Sequence, residues 1–448
     1  MARPVTKWST LVQDASSLLR VIRRAVKIAA TPPMGPVYIC VPMDILDASC
    51  TEEVHPTSMP STRCTPDGAL VTQAAELLAK AQRPVFFVGD GIAFSDAQDE
   101  LTRVAELVGA EVWEADAGEV NIDYSHPLYQ GMTGHMFGHS SFPITSKADV
   151  NFVCGTYMLP EVFPELGSIF DPDSKVIHVD LNLYEIAKNH GVDIGLLGDP
   201  KSTLAALAGE LEAKLTSDQK KSARQRAEQI GKAKKDKIHA QKKADTAERE
   251  KTPVRMARFM EELVKKIPLD TIIFDEALTN SPPVSRYFPP DRTAKYFLTR
   301  GGSLGVGFPG AIGAKLANPN KTVIGFSGDG GAMYTIQALW TAARHKTDVK
   351  FVVCNNATYR LLQLNIDVYW KERDIAKHDF PLSFDLSYPP LQFAEMAKSM
   401  GVEGVRVEEP GGIAPAIDRA LAHRGPFLID LVLEGDSHPD RVGNTCGQ

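Results

Sequence analysis

The sequence has no C-x-x-C pair, no zinc spacing among its six cysteines, no surplus of positive charge and no long apolar run. Each absence closes a class of function. Cys40, Cys50, Cys64, Cys154, Cys354 and Cys446 are scattered, and three of them (Cys40, Cys154, Cys354) end apolar, strand-like stretches, so they read as reduced thiols. A net charge of −7 argues against a nucleic-acid or membrane-surface binder, whose electrostatics need an excess of Lys and Arg. No segment approaches the roughly 18 apolar residues of a membrane helix. The N-terminus around Lys7 and Trp8 also lacks the apolar region of a secretory signal. The expectation is a cytoplasmic protein with a small-molecule partner, without nucleic acid and without a membrane. His126, His135 and His139 form the one histidine cluster, but their Gly-rich surroundings offer no helix to align them, so satisfied or solvated rings are expected.

What is present is alternation of strands and helices over 448 residues, enough for about three domains of ~150 residues each. Residues 1–60 hold a helix with Leu18, Val21, Ile22, Ala25 and Ile28 on one face, a turn at Pro32-Pro33-Met34-Gly35, and a strand over 37–41. One helix and one strand cannot bury a core, so this segment reads as the remnant of a domain that begins elsewhere. Residues 61–216 open with a Ser/Thr/Pro-rich linker. They then alternate helices near 69–81, 97–108 and 203–215 with strands near 85–88, 111–113, 150–154 and 175–179. Residues 217–250 are dominated by Lys, Glu, Gln and Ala, which predicts a solvated, charged helical linker rather than a nucleic-acid arm. Residues 251–448 resume the alternation, with strands near 271–274, 295–298, 322–326, 349–354 and 427–432. The fold class this predicts is α/β, with doubly wound parallel sheets covered by helices, the first unit incomplete.

The chemistry concentrates after the strand at 322–326, which runs into Ser327-Gly328-Asp329-Gly330-Gly331. Glycines at the carboxyl end of a parallel strand let the backbone approach a phosphate, and free N–H groups there favour an anion. Asp329 would repel a bare phosphate, but it becomes useful if a hard divalent cation sits between the two. Magnesium is commonly held by one or two protein oxygens plus phosphate oxygens. The next strand ends in Asn355-Asn356-Ala357-Thr358, and Asn356 lies 27 positions after Asp329, the span of one helix and one strand. The Asn356 side chain and the Thr358 carbonyl would complete the cage. Gly89-Asp90-Gly91 also follows a strand, but with no paired Asn at that spacing it reads as a structural turn. A rival is nicotinamide binding, because Gly305-Val306-Gly307-Phe308-Pro309-Gly310 fits G-x-G-x-x-G, with Asp329 19 residues beyond its last glycine.

Gly328-Asp329-Gly330 with the second Asn of a pair 27 residues on resembles the thiamine-diphosphate motif. The run from Gly328 to Ala343 is most similar to benzoylformate decarboxylase, within the acetolactate synthase and pyruvate decarboxylase superfamily. Arg3–Ser9 and Gly35–Tyr38 are similar to the end of that family's pyrimidine domain, and Gly302-Ser303-Leu304-Gly305 to the loop that supports the folded cofactor.

The resemblance implies thiamine diphosphate with Mg2+, the metal held by Asp329, Asn356 and the Thr358 carbonyl. It implies that Gly330, Gly331 and the loop Ala277-Leu278-Thr279 hold the diphosphate. Leu304 would wedge between the thiazolium and aminopyrimidine rings, with the Gly302 carbonyl accepting from the latter. The activity implied is decarboxylation of a 2-keto acid, with carboligation as in acetolactate synthase as the alternative. A homodimer or homotetramer is implied, with the cofactor between subunits. Thr252, before Pro253, stands where benzoylformate decarboxylase carries a histidine. Leu361, which replaces a smaller family residue, lines the substrate side with Leu362 and Asn365. The family's activating glutamate comes from the early pyrimidine domain, for which this sequence has no counterpart. No glutamate here is assigned that role, and a separate N-terminal segment or a non-catalytic subunit stays open. A flavin (FAD) in the middle domain, as in acetolactate synthase, is the less expected addition, since Gly155-Thr156 is equally a plain turn.

Overall fold

All five residues of Pro84–Val88 are buried, as a strand covered on both faces requires. This pattern organises most of the computed structural model, which describes residues 2–115, 117–133, 141–158, 168–292, 294–299 and 303–434. In the first segment, β1 (Trp8–Leu11) and β2 (Val37–Cys40) pair in parallel, Trp8 against Val37, with the helix Leu18–Ala30 crossing between them. Of that helix only Ala25 is buried, so the unit adds little core. The central sheet is all parallel, in the order β5-β4-β3-β6-β7-β8. Its strands are β3 (Pro84–Val88), β4 (Glu111–Ala115), β5 (Tyr129–Thr133), β6 (Val150–Cys154), β7 (Lys175–Asp180) and β8 (Ile194–Leu197). The last sheet is also parallel, in the order β10-β9-β11-β12-β14-β13. It is built from β9 (Ile272–Glu276), β10 (Tyr296–Leu298), β11 (Val323–Gly328), β12 (Lys350–Asn355), β13 (Glu403–Val407) and β14 (Phe427–Val432). The expected α/β class with doubly wound parallel sheets is what the chain forms.

The strands that sequence patterning misses are β1 and the edge strands β5, β8 and β13. An edge strand is covered less completely, so its apolar run is diluted: β8 alternates buried and exposed residues, and β13 mixes Glu403, Gly404 and Arg406 with two valines.

The charged segment folds as one helix, Ser217–Glu248, opened by a capping box in which Thr216 and Gln219 satisfy each other's backbone N–H. It is not solvated all round. Ala223 is buried against Gly109, where a Cβ would stand 2.3 Å from the Ala223 carbonyl oxygen. Arg226 donates to the Val108 carbonyl (2.6 Å), and Lys234 to the carbonyls of Tyr124 (2.6 Å) and His126 (2.7 Å). Farther along, Asp245 pairs with Arg286 at 2.7 Å. The helix therefore straps the central sheet to the last one. Two backbone bonds join the same parts, Tyr124 N–H to the Pro290 carbonyl (2.9 Å) and Leu298 N–H to the Gly118 carbonyl (3.0 Å).

At this junction Glu114 is fully buried. One carboxylate oxygen accepts from the Asn121 backbone (2.9 Å) and side chain (3.1 Å), the other from the hydroxyls of Tyr124 (2.6 Å) and Tyr129 (3.2 Å). Burial nevertheless outweighs these donors and raises its pKa to about 7. The folded state then holds this proton more tightly than the unfolded chain, whose carboxyl titrates near 4.5. The stability that Glu114 contributes is complete below that value and is lost as pH rises toward 7, by on the order of 3 kcal/mol. Glu114→Gln is expected to flatten that part of the pH dependence, checked by urea unfolding of both proteins at pH 5 and pH 7.5.

Candidate functional site

In the last sheet the chain leaves β9 toward β10 on one side and leaves β11 toward β12 on the other. The carboxyl ends of β9 and β11 therefore flank a switch point, the crevice where doubly wound sheets take their ligands. Three of the sequence-predicted loops arrive there. β9 delivers Ala277-Leu278-Thr279, β11 delivers Gly328-Asp329-Gly330-Gly331, and β12, paired with β11 through Gly328 and Cys354, delivers Asn356-Ala357-Thr358. Leu278 and Ala357 both have positive φ (52° and 54°), so each loop turns sharply at the sheet's end.

Asp329 is buried, and its Oδ1 accepts from the Gly330 N–H at 2.8 Å. Its Oδ2 is buried with no hydrogen-bond partner. Burial raises its pKa to about 6, against the opposing pull of the N–H groups of Gly330, Ala357, Asn356 and Thr358. An orphaned, buried carboxylate oxygen beside the loop that carries Asn356 and Thr358 fits a hard divalent cation, because one acid plus neutral oxygens and phosphate is a magnesium donor set. The partner loop is held from outside: Thr358 Oγ1 donates to the Phe384 carbonyl (2.8 Å), Leu386 N–H donates to the Ala357 carbonyl (2.9 Å), and Asn356 Oδ1 accepts from Thr358 N–H (3.2 Å). Tyr359 packs on Gly330, where a Cβ would stand 2.3 Å from the ring.

Ser303 is exposed and Leu304 half-buried on the loop that follows β10, while Gly302 lies outside the described residues. Leu361 and Asn365, four apart on one face of the helix Arg360–Glu372, are half-buried, and Leu362 is exposed. Thr252 is brought to the same end of the sheet by its neighbour Val254, which bridges to Leu433 after β14. Its hydroxyl donates to Glu409 (2.9 Å) beyond β13, so it is tied to the far edge of the sheet rather than to Asp329.

Sequence reading missed Glu276, the last residue of β9. It is 1% exposed, and its carboxylate accepts from the Gly305 and Gly307 N–H groups (2.7 Å for Gly307) and from the Ser327 hydroxyl (3.1 Å). The signal was there, because Asp275-Glu276 is an acid pair closing an apolar strand. This carboxylate also disposes of the nicotinamide rival. The helix Gly307–Ala317 begins in the G-x-G-x-x-G run, and its first N–H, that of Gly307, is taken by the chain's own acid together with the Gly305 N–H just before it, where a pyrophosphate would bind.

The second Gly-Asp-Gly is a turn: Asp90 accepts from Gly118 N–H (2.9 Å) and Glu119 N–H (3.0 Å). The central cleft beside it, about 450 Å³, is lined by Asp90, Asp180, Glu185 and Asp199, with Arg63 already bonded to Asp199 at 3.1 Å. Four carboxylates against one paired guanidinium are a poor complement to the diphosphate of a flavin. His126 sits 3.2 Å from Glu106, whereas His135 and His139 lie outside the described residues. Among the described residues no three His, Cys, Asp or Glu side chains converge as a metal site. No helix among them is long and apolar enough to cross a membrane.

The sequence profile of the thiamine pyrophosphate enzyme C-terminal TPP binding domain matches residues 279–431, and that of the thiamine pyrophosphate enzyme central domain matches residues 71–207. The chain is 29% identical to a probable acetolactate synthase large subunit of Methanococcus aeolicus, across 97% of this chain and 73% of that one. It is 27% identical to the acetolactate synthase isozyme 2 large subunit of Escherichia coli K12, across 96% and 74%. Its fold is similar to benzoylformate decarboxylase from Polynucleobacter necessarius (TM-score 0.78, 22% identity, 98% of this chain and 78% of that one). It is also similar to thiamine diphosphate-dependent 4-hydroxybenzoylformate decarboxylase from Rhodococcus jostii RHA1 (TM-score 0.72, 23% identity, 97% and 78%).

The raised pKa of Asp329 means that its charge destabilises the ligand-free fold above about pH 6. Asp329→Asn is therefore expected to raise stability at pH 8 by up to roughly 3 kcal/mol, and by little at pH 3.5, where both states are mostly protonated. Thermal melts of the two proteins in the presence of a chelator check this.

Proposed function

We propose that this chain, which belongs to the thiamine pyrophosphate enzymes by its central and C-terminal domains, binds thiamine diphosphate with Mg2+ and decarboxylates a 2-keto acid. The observation that carries the proposal is the unpartnered, buried Oδ2 of Asp329 at the switch point, facing the loop of Asn356 and Thr358. In the proposal Asp329, the Asn356 side chain and the Thr358 carbonyl hold the metal. The backbone N–H groups of Gly330, Gly331 and Ala277-Leu278-Thr279 receive the diphosphate. Leu304 supports the bent cofactor, together with Ser303 and Gly302. When bound, the cofactor supplies the electron sink that lets a carbon–carbon bond to a carboxylate break.

This chain's residues bind, orient and exclude water. Leu361, Leu362 and Asn365 face the substrate from the helix behind the metal loop. All three side chains are apolar or neutral, which suits an uncharged substrate side chain. Thr252, with its hydroxyl engaged by Glu409, donates no proton to the substrate in this reading. A carboligase reading also has support, since the relatives at 27–29% identity are named acetolactate synthases. In that reading the carbon left after loss of carbon dioxide adds to a second keto acid instead of taking a proton. A homo-oligomer is part of the proposal, because in the family the cofactor lies between subunits.

Calorimetric titration of thiamine diphosphate is expected to show binding with Mg2+, none with a chelator, and none for Asp329→Ala. Binding that survives Asp329→Ala or chelation would overturn the proposal. Carbon dioxide release from a panel of 2-keto acids, with product analysis, then separates an aldehyde from an acetohydroxy acid.

A further inference from the structure

The loop that carries Leu304 is gripped at several backbone atoms. The Ser303 carbonyl accepts from Thr299 Oγ1, the Gly305 carbonyl accepts from Thr335 Oγ1 at 2.8 Å, and the Gly305 N–H donates to Glu276. Two residues on, the Gly307 N–H donates to the other oxygen of the same carboxylate. Both flanks of Leu304 are therefore fixed, with Gly305 at φ +83°, a conformation that favours glycine. A Cβ on Gly307 would stand 2.7 Å from Glu276 Oε2, so the backbone has closed onto the acid as far as glycine permits.

Glu276 is also the cross-strand partner of Ser327, whose hydroxyl it accepts. Behind it lies the glycine loop of the metal site, since a Cβ on Gly331 would stand 3.1 Å from Glu276 Oε1. One buried carboxylate thus joins β9, β11, the start of the helix Gly307–Ala317 and the Leu304 loop. Among the described residues no Lys, Arg or His forms an ion pair with it. Its charge is met by backbone and hydroxyl donors alone, and such bonds to an ionised acceptor are among the stronger ones.

We propose that Glu276 is the positioning residue of the site, the group that fixes Leu304 at the height and angle the bound cofactor requires. It does not touch substrate. Its oxygens are consumed by Gly305, Gly307 and Ser327, and it acts through the loop. This rests on the thiamine diphosphate reading above, but the anchoring itself can be measured without the cofactor.

The test uses Glu276→Gln, which keeps the shape but turns one acceptor into a donor facing a backbone N–H. Hydrogen exchange over residues 303–307 in the ligand-free protein is expected to speed up about tenfold or more relative to wild type. Over the helix Ser217–Glu248 it should not change. The dissociation constant for thiamine diphosphate with Mg2+ is expected to weaken about tenfold. Thr335→Val, which releases the other side of Gly305, is expected to shift both readouts in the same direction by a smaller factor, and it serves if Glu276→Gln does not fold. Exchange unchanged in the folded variants overturns the anchoring. Faster exchange with an unchanged dissociation constant overturns the link to the cofactor. If wild type itself binds no thiamine diphosphate, the function proposal falls and the cofactor link falls with it, while the exchange result still decides the anchoring.

Discussion

The side-by-side placement of β9 and β11, with their connections leaving in opposite directions, governs the site. It opens a crevice at the carboxyl ends of two buried strands, which loops line and a ligand can enter. The loop from β11 brings Asp329 and two glycines, the loop from β12 brings Asn356 and Thr358, and β9 supplies Glu276 from its final position. Because each strand carries its own share of the site, a change in register at any one of them would displace the groups it delivers relative to the rest.

Three carboxylates, Asp275, Glu276 and Asp329, lie buried at this one end of the sheet, and burial raises the pKa of each. They are resolved differently. Asp275 is surrounded by the Tyr296 hydroxyl (2.5 Å), the Ser281 hydroxyl (2.9 Å) and the Ala277 N–H (2.8 Å). Glu276 is satisfied by the loop it holds. Asp329 alone keeps an oxygen unmatched. Among these three, the unmatched oxygen lies at the position where a cation would remove its cost.

The central pattern of this arrangement was legible in the sequence because its parts are local. Buried strands such as 150–154 and 427–432 are continuous apolar runs, and the Asp329 to Asn356 interval counts one helix and one strand. What was not legible depended on distant neighbours. The edge strands β5, β8 and β13 pair on one side only, and their composition reflects that. The helix Ser217–Glu248 reads as solvated because many of its contacts are made by charged groups, those of Arg226, Lys234 and Asp245, which no apolar stripe announces. Glu276 escaped notice because its partners, Gly305, Gly307 and Ser327, lie far along the chain. The hydroxyl of Thr252, expected at the substrate, is drawn off by Glu409, another partner no local pattern announces.

The strapping helix has one further property. Lys234 meets the carbonyls of Tyr124 and His126, and Asp245 meets Arg286, so two fixed points are separated along the axis by about three turns, or ~16 Å. Between them most side chains face water and are free to vary. The number of residues is not free. One insertion would rotate the second anchor by about 100° and lift it off its partner. This stretch is a spacer with an exact count, its composition loose and its length strict, and it sets how far the two sheets stand apart.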